Sequence, residues 1–420
     1  MENSFCLWRT NCVMKKLFVG FGFGAIQAGL FLYEAHASGQ FDRFVVAEVM
    51  PEVVAAIRKA GGRYRVNIAT AQGIEKKDVA GVTLLNPNDP ADREALVAAV
   101  AEADELATAL PSVQFYEAGG AASVVSVLAD GFARRRSRGA KRRSIVYAAE
   151  NHNHAAEILE AHLIAHMAVP AAMLRASVQC LNTVIGKMSG IVTDEVQIAE
   201  QGLARMAGTM GRCVLVEAFN KILITRIAWS DFSSGIPIFI EKDDLLPFEE
   251  AKLYGHNATH ALMGYLARAQ GYNTIADIRR NPQILDLTRA AFLQESGAAL
   301  IRKHRGFDQL FTVAGYRDYA EDLLCRMMNP HLRDLVERVV RDPRRKLGWD
   351  DRLVGTMRLA LGQGITPRYY ALGARAALAM LRESESDHDE AQLLNGLWAG
   401  VPGAAHEKHA ITNLILNNRL

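Results

Sequence analysis

The sequence predicts an α/β protein in two parts: an N-terminal, doubly wound and mostly parallel sheet, followed by a mostly α-helical C-terminal domain. Two observations predict this. Short apolar runs alternate with helical segments along the N-terminal half, and such βαβα order is typical of a parallel sheet with helices on both faces. Beyond about Lys242, long segments rich in Ala, Leu and Arg show helical periodicity instead. The segment 243–247, which ends in Pro247, is the expected hinge, so we predict domains at 14–246 and 247–420.

Local patterns define the individual elements. An apolar run at 15–19 predicts the first strand, the glycines at 20–24 a tight turn, and 25–37 a helix. A second strand at 44–47 ends at Glu48 and completes a βαβ unit. The uncharged run from Leu17 to Tyr33 approaches the length of a membrane span, but its four glycines argue against one. The other predicted elements are helices at 52–60, 90–103 and 121–135, strands at 63–69, 105–110 and 144–149, and C-terminal helices at 317–328, 331–341, 351–361 and 372–382.

Composition restricts the class of protein. Half of the residues are hydrophobic and 22% are charged, as in a globular protein with a substantial core. The 48 basic and 46 acidic residues nearly balance, so no global charge favours nucleic acid or an anionic membrane as partner. Five scattered cysteines favour a reducing compartment, and residues 1–14 lack the apolar core of a signal peptide. We expect a cytoplasmic monomer or homodimer, and we interpret residues 1–13 as an extension before a true start at Met14.

Glycines follow the first predicted strand as a dinucleotide-binding, Rossmann-type turn requires. A pyrophosphate needs backbone N–H groups at a helix start, with no side chains in the way. Gly22 and Gly24 match the first two glycines of G-x-G-x-x-G, whereas Gln27 replaces the third. Glu48 ends the next strand, where a carboxylate can accept both ribose hydroxyls and repel a 2′-phosphate, so NAD is favoured over NADP. A purely structural turn is the alternative. The candidate cofactor-binding residues are Gly22, Phe23, Gly24, Ala25, Ile26 and Glu48.

The segment 252–260 carries the most reactive set of side chains. On a helix, Lys252, His256, His260 and Asn257 lie at roughly 0°, 40°, 80° and 140°, so all four can face one cleft. Hydride transfer from a carbinol needs a base for the hydroxyl proton and donors for the developing alkoxide. A lysine can be the base if burial or nearby cations lower its pKa, and amide groups can be the donors. The alternative is a solvated helix face with the lysine pointing outward.

Several segments carry a resemblance to known proteins. The most specific is a lysine signature, in which Lys252 and Leu253 are followed by Asn257 and His260. The other matching segments are 22–26 with Gly29, 149–151, 264–266, 271–272, 274–275, 341–343, 345–347, 351–355 and 364–365. Through them, nearly the whole chain from Met14 resembles the polyol-specific long-chain dehydrogenases, the mannitol dehydrogenase family.

This resemblance implies roles for individual residues. Lys252 would be the general acid and base, and Asn151 and Asn257 would bind the reacting oxygen. His260 would hold a substrate hydroxyl and help to orient the lysine. The family's fold is a nucleotide-binding domain followed by a helical substrate domain, with the active site between them, which agrees with the division near Pro247.

Further candidates lie outside the glycine turn and the lysine signature. Glu150 and Asn151, at the end of a predicted strand, are candidates for cofactor binding. His256 and Arg345 are candidates for substrate binding, since a guanidinium can form two parallel hydrogen bonds to a phosphate. Helix termination before Gly348 explains Arg345 equally well.

The resemblance implies an NAD-dependent enzyme that interconverts a polyol phosphate and a ketose phosphate, mannitol 1-phosphate and fructose 6-phosphate. Two alternatives stay open: the same chemistry on an unphosphorylated polyol or hexuronate, of the mannitol, arabinitol or fructuronate type, and a nucleotide-binding protein that has lost catalysis. No metal is expected, because His152 and His154 would project apart on a helix and the family is metal-independent. The basic run at 134–143 is predicted as a solvated connecting loop rather than a nucleic-acid site.

Overall fold

The computed structural model describes residues 16–208, 210–385, 389–403 and 405–418. The chain divides into two compact units. The first contains the residues up to Ile68 together with Glu75–Asp243, and the second contains Ala69–Ile74 and the chain from Asp244 onward. This division falls within the expected hinge, while the assignment of functional domains to 14–246 and 247–420 stays a prediction. The interpretation of residues 1–13 as an extension lies outside the described residues.

Twelve strands are described, in two sheets, and they lie in the first unit apart from their residues Ala69 and Ile74. Their bounds are β1 (Lys16–Phe21), β2 (Phe41–Ala47), β3 (Tyr64–Ala69), β4 (Ile74–Val79), β5 (Val82–Leu85), β6 (Glu105–Thr108), β7 (Ser144–Ala148), β8 (Val178–Val184), β9 (Ser189–Val192), β10 (Cys213–Glu217), β11 (Ile222–Thr225) and β12 (Phe239–Lys242).

The larger sheet has the order β12-β11-β8-β7-β6-β1-β2-β5. The strands from β5 to β8 in this order pair in parallel, whereas β11 joins β8 antiparallel. Strand β1 alternates between the two faces, with Phe18 in one core and Val19 in the other. The doubly wound parallel sheet predicted from the sequence is therefore confirmed.

A smaller sheet, of order β4-β3-β10-β9, was not predicted. Its strand β4 has the sequence IEKKDV and is largely exposed, so it lacks the apolar pattern that announces a buried strand. This sheet contributes Val66 and Val214 to the same core as Phe18. One face of the large sheet is thus covered partly by a second sheet rather than by helices alone.

Among the described residues of the first unit, seven α-helices lie between the strands. They are α1 (Leu32–Ser38), α2 (Pro51–Lys59), α3 (Pro90–Glu102), α4 (Val124–Ser137), α5 (Ala155–Met167), α6 (Ala171–Arg175) and α7 (Glu195–Glu200). The prediction of a solvated loop for the basic run is wrong only for 134–137, which belong to α4, whereas 138–143 form a largely exposed turn and loop. Arg135 is helical and buried, and its guanidinium donates to the carbonyl oxygens of Val100, Ala101 and Ala103. The last carbonyls of a helix have no i+4 N–H partner within it, and binding them at the end of α3 explains this arginine without a nucleic-acid role.

The second unit is helical, as predicted. Its α-helices are α8 (Leu246–Glu250), α9 (Ala258–Ala269), α10 (Pro282–Ala290), α11 (Ala298–Lys303), α12 (Val313–Met327), α13 (Val336–Val340), α14 (Pro343–Lys346), α15 (Val354–Gly362), α16 (Arg368–Ser384), α17 (Glu390–Leu397) and α18 (Ala405–Asn417). The single helix predicted at 331–341 is wrong. A 3₁₀ turn at Pro330–Leu332 is followed by Arg333 in the left-handed region, and α13 begins only at Val336.

Three segments of the described chain form π-helical turns, in which backbone hydrogen bonds run from residue i to i+5. They are Gln27–Phe31, Ala251–Asn257 and Ala291–Gly297. The first follows the glycine turn and the second carries the lysine signature, and π turns of this kind often occur at functional sites. Within the described residues, no helix is both long and apolar enough to span a bilayer.

Candidate functional site

The glycine turn between β1 and the following helix has a geometry that excludes side chains. Gly22 adopts φ +83°, and a Cβ atom there would lie 2.9 Å from the carbonyl oxygen of Ala109. Glycine is therefore required at this position twice over, by its conformation and by the close approach of the backbone after β6. The space around Gly24 is open, with no atom within 4 Å of a Cβ built there. Ala25 and Ile26 begin the helix and are half-buried.

Glu48 holds this turn against the end of β2. One carboxylate oxygen accepts the backbone N–H of Phe23 at 3.0 Å, and the other accepts the N–H of Met50 at 2.9 Å. Glu48 is buried, as is the Phe23 side chain. An ionised carboxylate offers about four acceptor positions, so two such bonds leave acceptor capacity for ribose hydroxyls. The role of Glu48 in cofactor binding stays a prediction, but its role in shaping the turn is visible in these contacts.

The substitution of Gln27 for a glycine is accommodated by a second glycine. A Cβ atom on Gly20, in β1, would lie 2.1 Å from Gln27 Nε2, so the Gln27 side chain occupies the space that the glycine leaves. Gln27 is fully buried, and its amide nitrogen and oxygen have no hydrogen-bond partner among the described residues. Gly29 lies two residues later and faces the smaller sheet, where a Cβ would lie 2.4 Å from Val216. The backbone at Gly29 therefore lies close to β10.

Glu150 and Asn151 follow β7. The Glu150 carboxylate is buried and accepts hydrogen bonds from the Thr108 hydroxyl at 2.9 Å, the Leu110 N–H at 2.9 Å and the Tyr116 hydroxyl. Burial raises the pKa of Glu150, against the effect of these donors. Much of its acceptor capacity is used inside the first unit, where it ties the segment after β6 to the end of β7. Asn151 is exposed, and the roles predicted for both residues stay predictions.

Lys252 lies in the π turn between α8 and α9 and is half-buried. Backbone hydrogen bonds in a π turn run from residue i to i+5, so Lys252 and Asn257 lie closer to one face than they would in a regular α-helix. Burial lowers the pKa of Lys252 to about 8, with Glu249 raising it and Arg352 lowering it further. An amine with this pKa exchanges a proton near neutral pH, as a general acid and base must.

The two histidines of the segment 252–260 differ in environment. His256 is buried, and its pKa is held well below the ordinary value, first by burial and then by the neighbouring side chains of His260, Arg326, Lys252 and Arg352. It is therefore a neutral ring at physiological pH. His260 is half-buried, and its Nε2 lies 2.6 Å from a carboxylate oxygen of Asp334, a residue that sequence reasoning missed. No sequence signal marked Asp334, because 331–341 has the pattern of a continuous helix.

Arg345 lies on the exposed surface of α14 and forms an ion pair with Asp342 at 3.1 Å. The neighbouring Lys346 is buried instead. Burial, followed by Arg352 and Arg345, lowers the pKa of Lys346 to about 8. Arg352 therefore lowers the pKa of both Lys252 and Lys346. These three basic side chains lie in one region of the second unit. The substrate-binding roles predicted for Arg345 and His256 stay predictions.

His152 and His154 correct a detail of the sequence analysis. They lie in the exposed turn before α5 rather than on a helix, with ring centroids 6.2 Å apart. The backbone N–H of His154 donates to Nδ1 of His152 at 3.1 Å. Across the ranges that the structure describes, no group of three or more His, Cys, Asp or Glu residues is arranged to hold a metal ion.

Comparison with known proteins places this architecture in a family. Residues 244–418 match the model of the mannitol dehydrogenase C-terminal domain. A mannitol-1-phosphate 5-dehydrogenase of Brevibacillus brevis is 31% identical over 338 residues, which is 80% of each chain. A mannitol-1-phosphate 5-dehydrogenase of Paenarthrobacter aurescens is 29% identical over 388 residues, or 92% of each chain.

Solved structures share the fold. Mannitol 2-dehydrogenase of Pseudomonas fluorescens, solved with NAD and D-mannitol, aligns over 96% of this chain and 91% of its own, with TM-score 0.69 and 17% identity. A D-sorbitol dehydrogenase in substrate-free form aligns over 96% and 93%, with TM-score 0.74 and 15% identity. The parallel sheet, its glycine turn and the helical second unit thus define a two-unit α/β protein of the dehydrogenase class. The chain belongs to the mannitol dehydrogenase family, which confirms the resemblance seen in the sequence.

Proposed function

We propose that this protein is an NAD-dependent dehydrogenase that interconverts mannitol 1-phosphate and fructose 6-phosphate, with Lys252 as the acid and base. The observation that carries the proposal is the half-buried lysine with a pKa of about 8, set on a π turn with Asn257 and followed by His260. The two bacterial relatives named mannitol-1-phosphate 5-dehydrogenase support the choice of substrate.

The chemistry of the second unit follows from proton transfer at Lys252. In polyol oxidation the neutral amine takes the proton of the reacting hydroxyl while the carbon loses its hydride, and the C–O bond becomes a carbonyl. In ketose reduction the ammonium returns that proton to the oxygen. The amide N–H groups of Asn257 and Asn151 would donate to the oxygen as its negative charge develops. His260 would hold a neighbouring substrate hydroxyl.

The residues of the glycine turn fit a dinucleotide. Gly22 leaves no side chain at the turn, Gly24 is surrounded by open space, and the Glu48 carboxylate retains acceptor capacity. The turn at 22–26 and Glu48 would hold the cofactor, with Glu150 and Asn151 as further candidates. When bound, NAD accepts the hydride from the polyol or, as NADH, supplies it to the ketose.

Electrostatics supports a phosphorylated substrate. Arg326, Arg352 and Lys252 all lower the pKa of the buried His256, and Arg352 also lowers the pKa of Lys346. Each of these cations makes the region more favourable for an anion, and a phosphate carries about two negative charges at neutral pH. Arg345 would supply a guanidinium if its pairing with the exposed Asp342 is exchanged for the phosphate, since an exposed ion pair is worth only ~0–1 kcal/mol.

The test compares NADH oxidation, followed by absorbance, with fructose 6-phosphate and with fructose. We expect turnover of fructose 6-phosphate at a much higher kcat/KM. Lys252→Ala should abolish turnover while leaving NADH binding intact, and Lys141→Ala, which removes an exposed lysine after α4, should change neither.

Each part of the proposal has its own contradicting result. Equal kcat/KM for the two sugars would contradict a preference for a phosphorylated substrate and favour an unphosphorylated polyol or hexuronate. Turnover retained in Lys252→Ala would remove the lysine assignment. Better use of NADPH than of NADH would contradict the role of Glu48. NADH binding without turnover of any polyol or ketose would leave a nucleotide-binding protein without catalysis.

A further inference from the structure

Asp334 lies between the side chains of His260 and Arg338 in the second unit. One of its carboxylate oxygens is 2.6 Å from Nε2 of His260, and the other accepts two N–H groups of Arg338, from Nε at 3.0 Å and from Nη2. Burial by itself would raise the pKa of this carboxyl, but His260 and Arg338 outweigh burial and lower it. Asp334 is therefore ionised at neutral pH, and an ionised carboxylate only accepts hydrogen bonds.

The protonation pattern of His260 follows from this partner. Because the carboxylate cannot donate, the short contact requires a hydrogen on Nε2 of His260. A neutral ring with its hydrogen on Nε2 carries the lone pair on Nδ1. Asp334 thus selects the tautomer in which Nδ1 is the acceptor, and this is the nitrogen left to receive a hydrogen bond from a hydroxyl or an ammonium group.

The backbone holds the carboxylate in place. Arg333 has φ +47° and ψ +50°, a left-handed conformation that is unfavourable for a residue with a Cβ atom. The carbonyl of Asp334 accepts the N–H of Ile275 at 2.9 Å, Leu335 forms an antiparallel bridge with Thr274, and the N–H of Val336 donates to Asn273 at 2.9 Å. A strained conformation persists where neighbouring contacts determine it, so the position of Asp334 is set by the surrounding structure.

We propose that Asp334 is a positioning residue for the Lys252 site: it holds His260 in the tautomer with hydrogen on Nε2, so that Nδ1 accepts a hydrogen bond from the substrate hydroxyl. The inference rests on the function proposed above, and it adds a residue that acts through His260 rather than on the substrate. A purely structural alternative is that Asp334 only anchors α13 through Arg338.

The direct test is side-chain nitrogen NMR of the full-length protein containing isotopically labelled histidine, with the His260 signals assigned by their loss in His260→Gln. We expect the unmodified protein to show His260 as the tautomer with hydrogen on Nε2 at a pH where the ring is neutral. Hydrogen on Nδ1 would overturn the proposal. This measurement needs no turnover, so it decides the proposal even if the proposed substrates are wrong.

Two variants separate positioning from anchoring. Asp334→Asn keeps the shape but offers a donor as well as an acceptor, so we expect the Nδ1-protonated tautomer to appear and kcat to fall by roughly 10- to 100-fold, with NADH binding unchanged. Arg338→Gln removes the guanidinium that Asp334 also binds and leaves the Asp334–His260 contact, so the tautomer should persist and kcat should change by less than about fivefold. An unchanged His260 spectrum in Asp334→Asn, or equal losses of kcat and melting temperature in both variants, would overturn the positioning role.

Discussion

Gly255 offers the sharpest test of how the π turn presents Lys252. A Cβ atom on Gly255 would lie 2.6 Å from the Tyr316 hydroxyl oxygen and 3.1 Å from the Phe292 ring, whereas ordinary contact begins at 3.4 Å. Both rings are fully buried and pack edge to face, with centroids 5.8 Å apart, so neither can move aside easily. The Gly255→Ala substitution must therefore displace the backbone of the turn that carries Lys252 and Asn257.

The magnitude follows from two opposing contributions. Alanine in place of glycine favours a helix by ~1 kcal/mol, whereas overpacking a rigid core costs ~1–3 kcal/mol. The shortfall of ~0.8 Å to Tyr316 places this substitution toward the upper part of that range. We expect Gly255→Ala to lower the free energy of unfolding by ~1–2 kcal/mol in urea. We also expect kcat to fall by ~10- to 100-fold, since displacements of about 1 Å have effects of this size.

Two matched variants check the cause. Tyr316→Phe removes the oxygen that the new methyl group meets, so the double variant with Gly255→Ala should recover a large part of both losses. Gly396→Ala, in α17, places a methyl group where no atom lies within 4 Å and should be neutral or stabilising, by at most ~1 kcal/mol. Wild-type stability and kcat in Gly255→Ala, or no recovery in the double variant, would refute the packing argument.

Other expectations follow from single sites. Because the folded pKa of Lys252 is lowered to about 8, polyol oxidation, which uses the neutral amine, should rise with pH through about 8, while ketose reduction should decline above it; pH profiles of kcat in which both directions are flat from pH ~6 to 10 would contradict this. Gln27→Met removes a buried amide that has no hydrogen-bond partner among the described residues, so the free energy of unfolding measured in urea should rise by ~1 kcal/mol or more. A lower free energy of unfolding would show that the amide makes hydrogen bonds in the folded protein. Glu48→Gln leaves one of two backbone N–H groups without an acceptor, so NADH binding measured by fluorescence should weaken by roughly tenfold, and an unchanged Kd would remove Glu48 from the cofactor site. Arg345→Gln should raise KM for fructose 6-phosphate and leave KM for fructose unchanged; equal shifts would exclude a phosphate contact.

Much of the candidate site was predictable because it depends on residues close together in the chain. Gly22 follows a strand and precedes a helix, and Lys252, Asn257 and His260 lie within three turns of one another. The geometry of a helix or strand sets the relative positions of residues close together in the chain, so their spacing can be read from the amino-acid sequence alone. The alternation of apolar runs predicted the parallel sheet for the same reason.

Other features depended on partners distant in the chain. The sequence did not indicate that Gly20 makes room for Gln27, that the residues between β8 and β11 form strands of a second sheet, or that Asp334 meets His260 across 74 positions. The segment around Asp334 has a helical pattern, and its contacts with Asn273 and Ile275 override that local preference.

The sequence by itself determined which chemical groups are available and which helix or strand carries each of them, because these follow from periodicity and turn chemistry. Only the tertiary structure decided how those groups are tuned. Burial lowers the pKa of Lys252, the π turn brings Asn257 onto its face, and the carboxylate of Asp334 selects the hydrogen-bonding state of His260. Desolvation and electrostatic partnership depend on everything that surrounds a side chain in space, and that environment exists only once the chain has folded.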